Sequence, residues 1–127
     1  MTDDRVAAFA EQAFGWQFIP PFTCMGVERN GKIIAAAIFN QFESFDIRLT
    51  VAGTGWSRQF LREVGRYVFH QLGCLRMTAI TEQDEVVRLS LRIGGQVEGL
   101  LRNHYGQGRN GVLIGFLKEE WRYGISA

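Results

Sequence analysis

The chain has 127 residues, 46% of them hydrophobic and 21% charged; this is ordinary globular usage, which fits one packed domain over residues 1–127 and excludes intrinsic disorder. Fourteen Lys and Arg against 13 Asp and Glu leave a net charge of +1, which argues against a duplex nucleic-acid footprint. No apolar run reaches the roughly 20 residues that span a bilayer, and the acidic start Met1-Thr2-Asp3-Asp4 has no signal-peptide core, so no membrane association and a cytoplasmic location are expected.

Asp4 to Phe14 reads as a short helix with Val6, Phe9, Ala10 and Ala13 on one face, ended by Gly15. Pro20-Pro21 makes the next stretch an extended connector. Trp16, Phe18 and Phe22 around it are expected to cover one end of the core, with an acceptor-facing wall or a homodimer patch as alternatives. Asn30-Gly31 between Cys24–Arg29 and Lys32–Asn40 is the preferred pair for a type I′ hairpin turn. The continuous apolar run 33–39 then predicts a strand covered on both faces. Phe45, Ile47, Leu49 and Val51 alternate with Asp46, Arg48, Thr50 and Ala52, a half-buried strand. After Gly53-Thr54-Gly55 a helix is expected from about Ser57 to Gln71, with Trp56, Phe60, Leu61, Val64, Tyr67, Val68 and Leu72 inward. Leu75 to Ile80 is a strand, Thr81 an N-cap for a helix from Glu82 to Ile93, and Gly94-Gly95 its end. Val97–Tyr105 and Val112–Lys118 are the last two strands, joined by a loop over residues 106–111. This order predicts an α/β fold: a mixed, twisted sheet of about six strands with helices on both faces. The right-handed crossover rule further predicts that the strands at 45–51 and 75–80 are parallel neighbours.

Metal and thiol chemistry have little support. Cys24 and Cys74 form no CxxC and His70 and His104 no HExxH spacing, so no metal site is expected. Cys74 is expected to be buried and inert, and His104 to lie on a surface turn. Arg58, Arg62 and Arg66 recur every turn as a solvated basic stripe. The informative element is strand–Gly53-Thr54-Gly55–helix. A glycine-rich turn into a helix leaves backbone N–H groups free at the positive end of the dipole, where phosphate is favoured, and Ser57 and Arg58 add a hydroxyl and a cation.

Several segments carry a family resemblance. Residues 67–77, YVFHQLGCLRM, resemble the "Y-A-F-x-x-L-G-x-x-R-V" stretch that closes the central helix of many GNAT-superfamily N-acetyltransferases. Residues 92–99, RIGGQVEG, resemble that superfamily's "K-L-G-F-x-x-E-G", and Leu101-Arg102 followed by residues 112–121, VLIGFLKEEW, its closing "R…Y-x-x-L-x-x-E-W". In this alignment Gly53-Thr54-Gly55 falls on the loop that holds the CoA pyrophosphate. The resemblance covers roughly residues 24 to 121 and is closest in feel to short GNAT-like proteins of phages and prophages. It implies a GNAT-like sheet trimmed at its N-terminus, acetyl-CoA as acyl donor with CoA as product, and an unidentified amine as acceptor.

By this resemblance the backbone of Leu49 to Val51 would hold the thioester oxygen. Gly53, Thr54, Gly55, Trp56, Ser57, Arg58 and Gln83 would bind the cofactor, Gln83 standing where the family has Asn. Ser90 falls where many members carry a tyrosine general acid. Glu43 or Asp46 is the expected base: each lies near that strand, and a wall of Phe39, Phe42 and Phe45 would desolvate the carboxylate. Thr50 replaces the Gln or Arg that opens the family's loop, and Gly95 its Phe. These departures and the short N-terminus support a second reading, a non-catalytic binding or dimerisation module on the same fold.

Overall fold

The computed structural model describes residues 4–15, 22–54 and 56–123; Trp16, Phe18, Pro20-Pro21 and Gly55 lie outside them. The elements are α1 (Asp4–Phe14), β1 (Phe22–Arg29), β2 (Lys32–Glu43), β3 (Asp46–Gly53), α2 (Arg58–Gly65) running into a π-helical segment (Arg66–Gln71), β4 (Arg76–Thr81), α3 (Asp84–Arg92), β5 (Gln96–Gly106), β6 (Arg109–Leu117) and a single 3₁₀ turn (Lys118–Glu120). Their order is the one expected from the sequence.

The six strands form one sheet in the order β1-β2-β3-β4-β6-β5. β3 and β4 run parallel and the other neighbours antiparallel. Asn30 and Gly31 both have positive φ, as the type I′ turn requires, and join Arg29 to its partner Lys32. The expected double coverage of β2 is present: Ala35, Ala36, Ala37, Ile38 and Phe39 are all buried. Ala37 and Phe39 belong to the main core with β3, β4, β6 and α2, whereas Ala36 and Ile38 pack with Val6 and Ala10 of α1 on the opposite face. On α1 Val6 and Ala10 are buried but Ala13 is exposed.

Both crossovers, β3–α2–β4 and β4–α3–β5, advance in one direction along the sheet. With the same right-handed sense they bring α2 and α3 to one face. α1 covers the other, contacting β1, β2 and β3.

Three local readings need correction. The helix after β4 starts at Asp84 with Gln83 as N-cap, because the Thr81 hydroxyl is occupied as acceptor for the Gln83 N–H at 3.1 Å. β6 begins at Arg109, and Gly106 pairs with Arg109, so the predicted six-residue loop is a tight turn in which Asn103 Oδ1 accepts from Gly108 N–H at 2.8 Å. The central helix turns π-helical at Arg66, and the wider turn buries Phe69 beside Val68, which a strict 3.6 period does not.

That junction is packed by the C-terminal segment. Trp121 is buried with its ring centroid 6.0 Å from Phe69 and 5.5 Å from Phe116. A Cβ on Gly65 would fall on the indole nitrogen. Gly65→Ala is therefore expected to cost about 1–3 kcal/mol, read as a lower urea midpoint at unchanged slope; a wild-type midpoint would show that the indole is not seated there.

Candidate functional site

The parallel pair is joined over a short stretch, through Arg48↔Thr78 and Leu49↔Ala79. β3 continues to Gly53 along β2, and β4 to Thr81 along β6. The two strands thus part at their C-terminal ends, and α2 and α3 stand over the gap. An apolar cavity of about 40 Å³ lies there, lined by Ala37, Leu49, Val51 and Ala79 from the sheet, Trp56, Phe60, Leu61 and Val64 from the α2 side, Val86, Leu89, Ser90 and Ile93 from α3, and Phe116 and Trp121. Among the lining residues, Trp56 has its ring centroid 5.3 Å from that of Phe60.

The turn between β3 and α2 is built differently from expectation. Gly53 has φ of +92°, and a Cβ on it would collide with the Ile34 carbonyl of β2. The Thr54 N–H donates to that same carbonyl at 3.1 Å. Gly53 is therefore required by close approach of backbone to β2, and the Thr54 N–H is not free for an anion. Ser57 is the α2 N-cap, its Oγ accepting from Phe60 N–H at 3.1 Å, while Leu61 N–H donates to the Ser57 carbonyl. The N–H groups of Arg58 and Gln59 precede the first intrahelical donor and point from the helix end. Arg58 is exposed there, as are Arg62 and Arg66.

The sequence-predicted residues fall into two groups. Leu49, Val51, Trp56 and Ser90 meet around the cavity, with Gly53, Thr54, Ser57 and Arg58 in the adjoining turn. Gln83 is exposed at the N-terminus of α3. Ser90 is buried and its hydroxyl donates to the Val86 carbonyl at 2.7 Å, so that proton is engaged by the helix. Glu43 at the end of β2 and Asp46 at the start of β3 stand apart from the cavity, paired across the β2–β3 turn. The expected phenylalanine wall is not formed: Phe42 and Phe45 are 51% and 63% exposed, and Phe39 is buried in the core on the face opposite Asp46. Asp46 accepts from the Thr78 hydroxyl at 2.8 Å and lies 3.5 Å from Arg76, which also pairs with Glu98 at 2.7 Å. The hydrogen bond from Arg76 to Glu98 holds the guanidinium still more firmly charged.

Gly95 has a packing explanation. Gly94 at φ +112° lies under the Glu120 carbonyl, and Gly95 N–H reaches back to Ser90 O at 2.8 Å, a Schellman-type end to α3. A Cβ on Gly95 would sit 2.7 Å from the Phe116 ring, so Phe116 occupies the space.

Two groups at the parting were missed by sequence reasoning. The Tyr105 hydroxyl donates to Ile80 O at 2.7 Å. Burial raises its pKa, Glu82 adds to the rise, and the positive charge of Arg48 opposes it. Arg48 itself was read only as an outward residue in a period of two. Glu82 is gripped by Arg109 through bonds of 2.6 and 3.0 Å, which lower its pKa.

The sequence matches no protein-family model and no curated protein. Solved structures do match. Mutant forms of the spermidine/spermine N-acetyltransferase SpeG from Vibrio cholerae superpose with a TM-score of 0.72 at 13% identity, over 94% of this chain and 93% of that one. A chimera of the Vibrio cholerae spermidine N-acetyltransferase with hSSAT gives 0.66 at 16%, over 80% and 70%. The Vibrio cholerae enzyme in complex with CoA and spermine gives 0.66 at 15%, over 78% and 67%. At these identities the likeness establishes the fold: a six-stranded, twisted, open mixed sheet of the GNAT type.

Among the described residues no helix is long and apolar enough to cross a membrane, and no group of three His, Cys, Asp or Glu is placed to hold a metal. Cys74 is fully buried and burial, then the Asp46 charge, pushes its thiol pKa up, which disfavours the reactive thiolate. In a Cys24→Ser background, labelling of Cys74 by a disulfide reagent at pH 8 is expected only through opening of the chain, orders of magnitude slower than in urea. Immediate labelling of the folded protein would overturn this placement.

Proposed function

We propose that this chain is an acyl-CoA-dependent N-acyltransferase, a single domain over residues 1–127 that uses acetyl-CoA and acylates an amine directly in a ternary complex. The observation that carries the reading is the parted parallel pair with its apolar cavity beside a helix N-terminus. It occurs in a fold shared with a protein whose structure holds CoA and spermine.

The donor's phosphates would lie against the N–H groups at the start of α2, with Ser57 and Arg58 beside them and Trp56 and Gln83 at the mouth. The gap beyond Leu49 would admit the thioester, whose oxygen would be polarised by backbone N–H of the segment from Leu49 to Val51. The amine nitrogen bonds the acyl carbon as the C–S bond breaks, and the electron pair leaves on sulfur. Asp46 is an anion fixed by Arg76 and Thr78 and Glu43 is exposed. Each serves as base through intervening water in this reading. Ser90 lines the cavity and contributes shape while its hydroxyl bonds Val86 O.

Calorimetric titration with CoA and acetyl-CoA tests the proposal without knowing the acceptor. Wild-type protein is expected to bind both. Arg58→Glu places a negative charge on an exposed position at the helix start and is expected to weaken binding about tenfold or more, with an unchanged melting temperature. A wild-type protein that binds neither ligand would instead favour the non-catalytic binding module.

A further inference from the structure

The acyl-transfer reading leaves the acceptor's chemistry open, and the sheet face away from α2 and α3 narrows it. On that face Asn40, Arg48 and Thr78 stand side by side in β2, β3 and β4, through the register pairs Asn40↔Arg48 and Arg48↔Thr78. They lie directly before the point where β3 and β4 part. Arg48 is half-buried and makes no hydrogen bond or ion pair among the described residues. Its cross-strand neighbour Asn40 holds a buried Oδ1 that accepts no hydrogen bond. On neighbouring strands, a guanidinium and a buried carbonyl oxygen therefore both lack partners among the described residues, although groups of both kinds normally find them in a folded chain.

The carboxylates nearby are in the opposite condition. Asp46 is held by Thr78 and Arg76, Glu98 by Arg76, and Glu82 by Arg109. A polycationic amine would have to displace an arginine at each of these three, which leaves it only the exposed Glu43 at the β2–β3 turn. An acceptor carrying its own carboxylate finds a free guanidinium already in place.

We propose that the acceptor is an amino-carboxylate, a small molecule bearing a carboxylate close to its amine, with the carboxylate on the half-buried Arg48 guanidinium. The inference rests on the acyl-transfer reading and refines its substrate class. Held this way, the amine sits beside Leu49 at the parting. It forms the amide bond to the acyl carbon as the thioester C–S bond breaks, its surplus proton passing to water. Arginine suits this role because its planar fork matches a carboxylate with two parallel N–H donors.

The test measures thiol release from acetyl-CoA by the full chain, with a panel of α-amino acids, the corresponding amino-acid amides, and spermidine, beside calorimetry of acetyl-CoA alone. At least one amino acid is expected to exceed its own amide in kcat/KM by about 10–100-fold, the worth of a charged hydrogen-bonded contact. Arg48→Gln should erase that preference and Arg48→Lys keep part of it, both with acetyl-CoA affinity preserved. Equal use of acid and amide overturns the proposal. So does preferential use of spermidine, or the absence of turnover with every amino acid by protein saturated with acetyl-CoA. Failure to bind acetyl-CoA at all removes the acyl-transfer reading and this inference with it, and the calorimetry tells that case apart.

Discussion

The structure depends on one seam, the short parallel contact between β3 and β4. A parallel neighbour cannot be reached by a hairpin, so the chain must leave the sheet and return through α2. The next crossover takes α3 to the same face, and the two helices straddle the seam. Because β3 is bonded onward to β2, and β4 to β6, the strands can separate beyond Leu49 and Ala79 while each keeps a full ladder on its other edge. The gap therefore costs few backbone hydrogen bonds, and small side chains at Ala37 and Ala79 leave it unfilled.

The glycines show how much of an apparent ligand motif can be internal packing. Gly53 is demanded by the Ile34 carbonyl and Gly94 by the Glu120 carbonyl, while a Cβ on Gly115 would meet the Glu98 carboxylate lying over it. At each place a Cβ would meet protein atoms. A glycine-rich turn before a helix signals close approach to backbone, and the sequence does not say whether a phosphate or a neighbouring strand makes that approach. Here β2 takes the Gly53–Thr54 part, which moves the free N–H groups onto the first turn of α2.

Much of the fold was legible because its signals are local: Asn30-Gly31 for the hairpin, the alternation in β3, and the helix between β3 and β4 that lets them run parallel. The insertion of β6 between β4 and β5 was not, since strand order has no local signature. Nor was the π turn, which starts one residue after Gly65, where Trp121 packs from more than fifty residues away. In the site, the apolar residues came together as periodicity implies, because burial is what periodicity reports. The polar candidates fared differently. Phe42 and Phe45 flank a tight turn, which placed them in solvent and left Glu43 unwalled. Arg48 looked like any outward residue of a half-buried strand; its setting depends on what Asn40 and Thr78 leave unpaired on either side.

The side chains on the α1 face of the sheet also explain how a parted sheet stays aligned. Glu98 of β5 reaches over Gly115 of β6 to Arg76 of β4, which meets Asp46 of β3, itself bonded by Thr78. Partly exposed pairs of this kind are worth about 0–1 kcal/mol each, so their importance is positional: they span four strands at the N-terminal end of β4. At its other end Tyr105 bonds Ile80 O and Arg109 grips Glu82, fastening the β5–β6 hairpin beside the gap. With β4 pinned at both ends to its C-terminal neighbours, divergence is confined to the ends of β3 and β4, between residues 50–53 on one side and 80–81 on the other. The same pairings that hold the seam occupy Asp46, Glu98 and Glu82, and among the described residues they leave Arg48 as the one half-buried arginine of this face without an ion pair.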